Sequence, residues 1–567
     1  MARVGLVQRE RAVYAPRMIR NPVLPGFNAD PSILRVGEDF FIATSTFEWF
    51  PGVAVYHSRD LEHWRLRSHA LTRSSQLELR GVQGSGGVWA PCLRFREGEG
   101  LFYLAWTKVR NARAAAFDLR NYLVTAPSVD GPWSEPIYLN ASGFDPCIFF
   151  DDGPDGTGRA WVLNLEWEFR KGYEHPGWIV LQEYSLERMR LVGPIRRIYH
   201  GGTDRGCMEG PTLFKKDGWY YLITAEGGTG YGHAAVLARS RDIGGPYEAD
   251  PEGPFLSAAK DFGARGERDF LKPRCYNPEA SMQKTGHASL IDTGKGEWYL
   301  AHLGARPLMP EMRCVLGRET SLRKACWTKD GWLQAEGGRL PLLEVPSPSG
   351  IAPCPEPGAG VSSPEDFDAS ALPIDFYSLR SAPDLSWLDL ASRPGWLRLR
   401  GRESLRSLHE QSLVARRVQH FSFRVETSME FRPEVFQSMA GLVLMLGSDD
   451  WYYLRKYWSE SLGGPELGIM TCAGEAEDEL LEHRLALRGL SDRVFLAAEV
   501  EGGRDLAFSW SLDGRSWENI GPVLDFTRLS DECSTQAFSG TFCGLCVQDL
   551  SGAGAWADFD YFGYEAR

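Results

Sequence analysis

The sequence predicts an all-β chain in two parts, a five-bladed β-propeller followed by a β-sandwich. Three observations carry this reading. The chain holds 19 Trp, 20 Tyr and 29 Phe together with 61 Gly and 34 Pro, a mixture of aromatic strands and tight turns that favours many short strands. Gly/Pro-flanked motifs open apolar runs near Asp30, Trp89, Asp145, Glu209 and His287, at intervals of roughly 55–80 residues, the size of propeller blades carrying insertions. Beyond a Pro/Ser-rich stretch from Pro346 to Pro364 the pattern changes to longer alternating strands.

Residues 1–20 are expected to form an N-terminal extension and 21–345 the propeller. Each blade starts with a polar motif, an apolar strand such as Cys147-Ile148-Phe149-Phe150, and an aromatic strand. Leu101-Phe102-Tyr103-Leu104-Ala105-Trp106, Trp219-Tyr220-Tyr221-Leu222-Ile223 and Glu297-Trp298-Tyr299-Leu300-Ala301 are three such aromatic strands. In a propeller the innermost strands point their first residues at the central channel, so the opening motifs should meet at one end of it. Residues 346–366 read as a linker by composition. In 367–567, Phe421-Ser422-Phe423-Arg424-Val425-Glu426-Thr427 and the terminal Ala555–Phe562 run alternate and predict a single sandwich.

At 567 residues the chain exceeds one ordinary core. Its 43% hydrophobic and 24% charged content are those of a globular protein. A net charge of −13 argues against nucleic acid or an anionic membrane as partner. No apolar leader opens the sequence and no run is long enough to span a bilayer, so the cytoplasm is the expected location. Eleven scattered Cys fit a reducing compartment. The lone pair Cys543/Cys546 sits in a strand-like run, where residues three apart face opposite ways, which argues against zinc.

Three carboxylates stand in the opening motifs: Asp30 in Asn28-Ala29-Asp30-Pro31-Ser32, Asp145 in Gly143-Phe144-Asp145-Pro146, and Glu209 in Glu209-Gly210-Pro211-Thr212. Taken singly, an Asp-Pro is a turn or strand-start residue. Carboxylates at the mouths of buried strands are costly unless paired. Three of them, in order, predict convergence on one pocket and acid–base chemistry.

These motifs resemble glycoside hydrolase family 43, in particular its two-domain β-xylosidases. The likeness runs over nearly the whole chain. It includes Asn21 to Ser32, Thr44-Ser45-Thr46-Phe47-Glu48-Trp49-Phe50-Pro51-Gly52, Gly87-Val88-Trp89-Ala90-Pro91, Thr224-Ala225-Glu226-Gly227-Gly228-Thr229, Gly286-His287-Ala288-Ser289-Leu290 and Leu316-Gly317-Arg318-Glu319-Thr320. Gly401-Arg402-Glu403-Ser404-Leu405 and Gln411 to Arg417 extend it into the second part. The resemblance implies a concanavalin- or jelly-roll-like sandwich behind the propeller, and an inverting mechanism. Asp30 would be the general base acting on water, Glu209 the general acid, and Asp145 the residue that orients the acid and raises its pKa by repulsion. Arg318 matches the substrate-binding arginine, although by itself it reads as a surface residue paired with Glu319. His287 matches a channel histidine and by itself reads as a core histidine or as a ligand for a metal or water.

Phe47, Trp89 and Trp167 are candidate apolar walls for a sugar ring, and Glu226 is a candidate substrate contact. Phe538 and Phe542 lie in Gln536 to Gly544, which resembles the segment that lends a Phe to the site's mouth. Two departures stand out: Thr212 replaces a His common in relatives, and the His287–Arg318 stretch is short. The expected activity is exo-hydrolysis of xylose from the non-reducing end of xylo-oligosaccharides. An α-L-arabinofuranosidase, a retaining fructan hydrolase and a catalytically silent sugar-binding protein are the alternatives. No cofactor is required on this reading. Calcium in the channel and a homo-oligomer are left open.

Overall fold

The computed structural model describes residues 17–152, 158–173, 177–260, 271–355, 364–487, 492–534 and 539–567. The first half is a ring of five antiparallel sheets. Blade 1 comprises Ser32–Val36, Asp39–Thr44, Gly52–Ser58 and Arg65–Leu71; blade 2 comprises Gly87–Arg96, Leu101–Asn111, Asp118–Ala126 and Ile137–Asn140. Blade 3 runs through Cys147–Asp151, Arg159–Leu165, Ile179–Ser185 and Arg190–Tyr199, and blade 4 through Glu209–Lys216, Trp219–Glu226, Ala234–Ser240 and Glu248–Ala249. Blade 5 contains Gln283–Asp292, Trp298–Ala305, Glu319–Trp327 and Leu333–Ala335.

Each blade uses one continuous stretch of chain, so the ring closes through side contacts. The chain before blade 1 lies along the third strand of blade 5: Leu24 bridges Thr320, and Asn21 Nδ2 donates to Leu322 O at 2.7 Å. Met18–Arg20 pairs with Glu344–Pro346. At the inner strands, Ile33 N–H donates to Ser289 Oγ at 3.0 Å and Leu93 N–H to Ser32 Oγ at 2.9 Å. A small polar residue on one inner strand thus takes up a backbone N–H of the next blade, which would otherwise be buried unpaired. Ile148 N–H toward Cys92 Sγ and Leu213 N–H toward Cys147 Sγ repeat this arrangement.

The second half is a two-sheet sandwich. Its main core includes Val414, Leu442, Leu444 and Leu454 from one sheet and Val425, Leu496, Phe508 and Phe559 from the other. The first sheet is buried on both faces, and every residue of Ser438–Gly447 and Phe542–Asp549 is buried. Its outer face packs Leu413, Val443, Met445, Tyr453 and Phe542 against Phe27, Phe47 and Trp49 of the propeller. This double burial explains why Gly441-Leu442-Val443-Leu444-Met445 does not alternate. Trp49–Phe50, from the blade 1 segment, pairs with Tyr377–Leu379 and becomes the edge strand of that sheet. Propeller and sandwich therefore share a sheet as well as a core. Cys543 and Cys546 fall in different cores on opposite faces of their strand, as the alternation requires.

Candidate active site

The five inner strands share one local irregularity. Asp30, Ala90, Asp145, Gly210 and His287 all have positive φ, at 56°, 39°, 58°, 58° and 46°. Pro follows in four cases, and then comes the small residue at the inter-blade contact: Ser32, Cys92, Cys147, Thr212 or Ser289. In the three longest of these strands the ladder slips register at this point. The left-handed residue turns its side chain out of the sheet and toward the channel. Glu209 stands one residue ahead of its blade's left-handed position, and so reaches the same end of the channel from another direction.

Asp30 is 6% exposed. Its Oδ2 accepts from Ser45 Oγ at 2.6 Å, its Oδ1 from Arg318 Nη1 at 3.1 Å, and His287 Nδ1 stands 3.6 Å from Oδ1. Burial works against ionisation here, but Arg318, His287 and Ser45 together outweigh it and hold the pKa below the ordinary carboxylate value. Arg318 is 2% exposed and does not pair with Glu319, which instead takes both Arg306 contacts, at 2.7 and 2.8 Å.

Asp145 and Glu209 titrate as a pair. Burial raises both, the Glu209 carboxyl to about 7 and Asp145 well above its ordinary value. The charge of Asp30 adds to each, and the charge of Glu209 raises Asp145 further. Such a pair keeps one proton near neutral pH. Gly210 N–H donates to Asp145 Oδ2 at 2.9 Å, which favours the ionised form of Asp145. Among the described residues no hydrogen bond does the same for the Glu209 carboxyl. Asp145 is fixed further by its own N–H, which donates to Thr107 Oγ1 at 3.1 Å.

His287 leans on Gly210. A Cβ there would lie 3.0–3.2 Å from the imidazole, at a φ that side chains rarely adopt, so glycine is what lets His287 pack against the backbone beside Glu209.

The family model "Glycosyl hydrolases family 43" matches residues 19–333, and "Beta xylosidase C-terminal Concanavalin A-like domain" matches residues 364–565. The chain is 44% identical to "Xylosidase/arabinosidase 43B" of Humicola insolens, over 96% of this chain and 97% of that one. It is 40% identical to a "Xylan 1,3-beta-xylosidase" of a Vibrio species, over 96% and 99% of the two chains. The crystal structure of a xylan beta-1,4-xylosidase from Bacillus halodurans C-125 superposes with a TM-score of 0.89 at 48% identity, covering 96% of this chain and 100% of that one. The chain belongs to glycosyl hydrolase family 43.

The remaining expected site residues of this family 43 hydrolase divide clearly. Trp89 and Trp167, both partly exposed, belong to one aromatic array with Phe144 between them, at 5.7 and 5.6 Å between ring centroids. Phe117, stacked on Trp167 at 4.2 Å, extends it. Sequence reading missed Phe144 and Phe117, although Phe144 directly precedes Asp145. Phe47 is only 2% exposed and backs the array, 6.0 Å from Trp89 and 5.7 Å from the Arg318 guanidinium.

Glu226 is corrected. It is 1% exposed, and its carboxylate takes Gly202 N–H at 2.7 Å, Thr203 N–H at 3.0 Å and the Thr203 hydroxyl. It organises the loop ahead of Glu209 and is not presented to substrate. Phe542 is fully buried and stacked on Trp49 at 3.9 Å, at the centre of the propeller–sandwich contact, so it does not reach the pocket. Phe538 lies outside the described residues. His233, fully buried beside His287, was not singled out from the sequence; burial lowers its pKa well below the ordinary value.

Calcium prefers about 6–8 oxygen ligands. The described channel residues around His287 offer imidazoles and the Asp30 carboxylate, already engaged by Arg318 and Ser45. They do not make a protein-built calcium shell. Among the described residues the group close enough to share an ion is Asp60, Glu62 and His63, where Asp60 already binds His63 Nδ1 and the Cys354 N–H.

Proposed function

We propose that this enzyme is an inverting exo-β-xylosidase with Asp30 as general base, Glu209 as general acid and Asp145 as the residue that keeps the acid protonated. One observation supports it above the rest: a single pocket holds a carboxylate below its ordinary pKa and another raised to about 7. General acid–base hydrolysis of a glycoside needs that division at one pH.

On this reading Asp30 draws a proton from water attacking the anomeric carbon, while Ser45 and Arg318 keep it ionised. Glu209 gives its proton to the departing glycosidic oxygen as the C–O bond breaks. Asp145, ionised and held by Gly210, makes premature loss of that proton unfavourable. Arg318 donates to sugar hydroxyls, and the Trp89–Phe144–Trp167 array covers the apolar face of the ring. Exo action is supported by the sandwich loop at Ser539–Gly540, whose Ser539 Oγ stands 3.4 Å from Ser85 Oγ beside Trp89. No cofactor enters this mechanism.

The names of the relatives favour xylose over other sugars, and the Humicola insolens relative adds arabinose as a second substrate. Hydrolysis of 1,4- and 1,3-linked xylobiose, 4-nitrophenyl β-xyloside and 4-nitrophenyl α-L-arabinofuranoside tests the reading. The expected order places xylosides first with 1,4-xylobiose cleaved, and arabinofuranoside slower. Turnover of arabinofuranoside alone would overturn it.

A further inference from the structure

Lys284, Asp531 and Glu532 form an ion cluster that the mechanism does not use. Lys284 lies in the inner strand of blade 5, and Asp531 and Glu532 belong to the sandwich loop that follows residues 526–528. The Lys284 side chain is 0% exposed, with Nζ 2.6 Å from Glu532 Oε1 and 3.4 Å from Asp531 Oδ2. Glu532 Oε2 also takes Cys314 N–H at 2.9 Å, and the Tyr231 ring lies 5.4 Å from Nζ. Burying three ionisable groups is expensive, and an apolar replacement would serve stability as well or better.

The cluster sits where the backbone most needs holding. Lys284 and His287 both have positive φ, at 53° and 46°. Backbone of this kind persists when its surroundings over-determine it. The inner strand slips register twice between Gln283 and Ser289, so ladder hydrogen bonds do not fix this stretch. Lys284 is its anchor to the other domain, and His287, three residues on, is the group beside Asp30. Further along the sandwich sequence, Ser539 and Gly540 press on Gly317: a Cβ there would meet Ser539 O at 2.5 Å. Gly317 precedes Arg318, the other cation at Asp30.

We infer that Asp531 and Glu532 are positioning residues for the reaction: the sandwich clamps Lys284 and so holds His287 and Arg318 around Asp30. The inference rests on the assignment of Asp30 as base. Asp30 is faced by Arg318, His287, His233 and the Ser45 hydroxyl, with Asp145 and Glu209 across the channel. The clamp is faced by Cys314, Tyr231 and, more distantly, Arg318.

The test is the acid limb of kcat/KM against pH on 4-nitrophenyl β-xyloside, which reports ionisation of Asp30. In Glu532→Gln, loss of a negative charge would by its field alone move that limb to lower pH. Loss of the clamp instead withdraws cations from Asp30 and moves it to higher pH, by ~1 unit for a partner at this range. The upward shift is expected in Glu532→Gln and, because the clamp is lost without changing the net charge of the pair, also in Lys284→Met/Glu532→Gln. Asp531→Asn, which keeps the 2.6 Å pair and so folds most readily, should shift the limb the same way by less. Arg504→Gln, which removes the exposed Arg504–Glu311 contact between the domains, should leave it in place. An acid limb that stays or moves down in both single acidic variants, whatever happens to Tm, overturns the inference. Asp30→Asn separates the two levels: if it remains active the base assignment fails, and if it is inactive while the limb stays put only the clamp fails.

Discussion

Replacing Asp145 by Asn keeps an oxygen to accept the Gly210 N–H, now 2.9 Å from Oδ2, and removes the charge that opposes ionisation of Glu209. Loss of a like charge at close range lowers a carboxyl pKa by ~1 unit or more, equivalent to ~1.4 kcal/mol for each unit. Burial and the Asp30 charge already raise the Glu209 carboxyl to about 7. Loss of the Asp145 charge should move the basic limb of kcat/KM to lower pH by ~1 unit, a ~10-fold loss on that limb with little change at pH 5. The sign follows from the role: an acid must hold its proton, so activity disappears as pH rises through its pKa. The assay is xylose release from xylobiose across pH 4.5–9, because that leaving group needs protonation. A uniform loss at every pH, with the basic limb unmoved, would refute the electrostatic account and leave Asp145 only an orienting part.

Glu209→Ala should lose ~10²–10⁴-fold on xylobiose and far less on 4-nitrophenyl β-xyloside, whose phenolate departs with little help; equal losses would count against the acid assignment. Gly210→Ala should leave the fold largely intact yet cut kcat/KM on both substrates at least ~10-fold, since its Cβ would displace the His287 ring from 3.0 Å and the left-handed backbone costs ~1–2 kcal/mol; unchanged kinetics would remove His287 from the site. Phe542→Ala should lower stability by ~3–5 kcal/mol in denaturant titration, with KM little changed in the protein that remains folded; a large KM change at unchanged stability would return Phe542 to the pocket.

The blade starts were legible because the channel forces an unusual local sequence on each inner strand: a residue able to turn left-handed, usually Pro, then a small polar group. Asp30, Asp145 and Glu209 could be picked out for that reason, and Arg318 and His287 by resemblance. The sequence was misleading where burial is set by tertiary contact. Phe542 alternates as any sandwich residue does, and only the docking of Trp49 and Phe27 against it makes that face interior. Glu226 lies in a quoted motif, but its carboxylate is consumed by the Gly202–Thr203 loop. The non-alternating run at Gly441–Met445 was the available sign that the sheet is covered on both sides. Lys284, Asp531 and Glu532 come together across about 250 residues of chain, and no short motif announces them.

If Asp30 activates water on the face opposite the bond that Glu209 protonates, hydrolysis inverts the anomeric carbon. The most direct measurement is proton NMR of the xylose released in the first moments of 4-nitrophenyl β-xyloside hydrolysis, before mutarotation mixes the anomers. This substrate gives one xylose for each cleavage, and α-xylose should appear first from its β-linkage. β-Xylose as the first product would mean retention through a covalent intermediate, and would contradict the assignment of Asp30 as base.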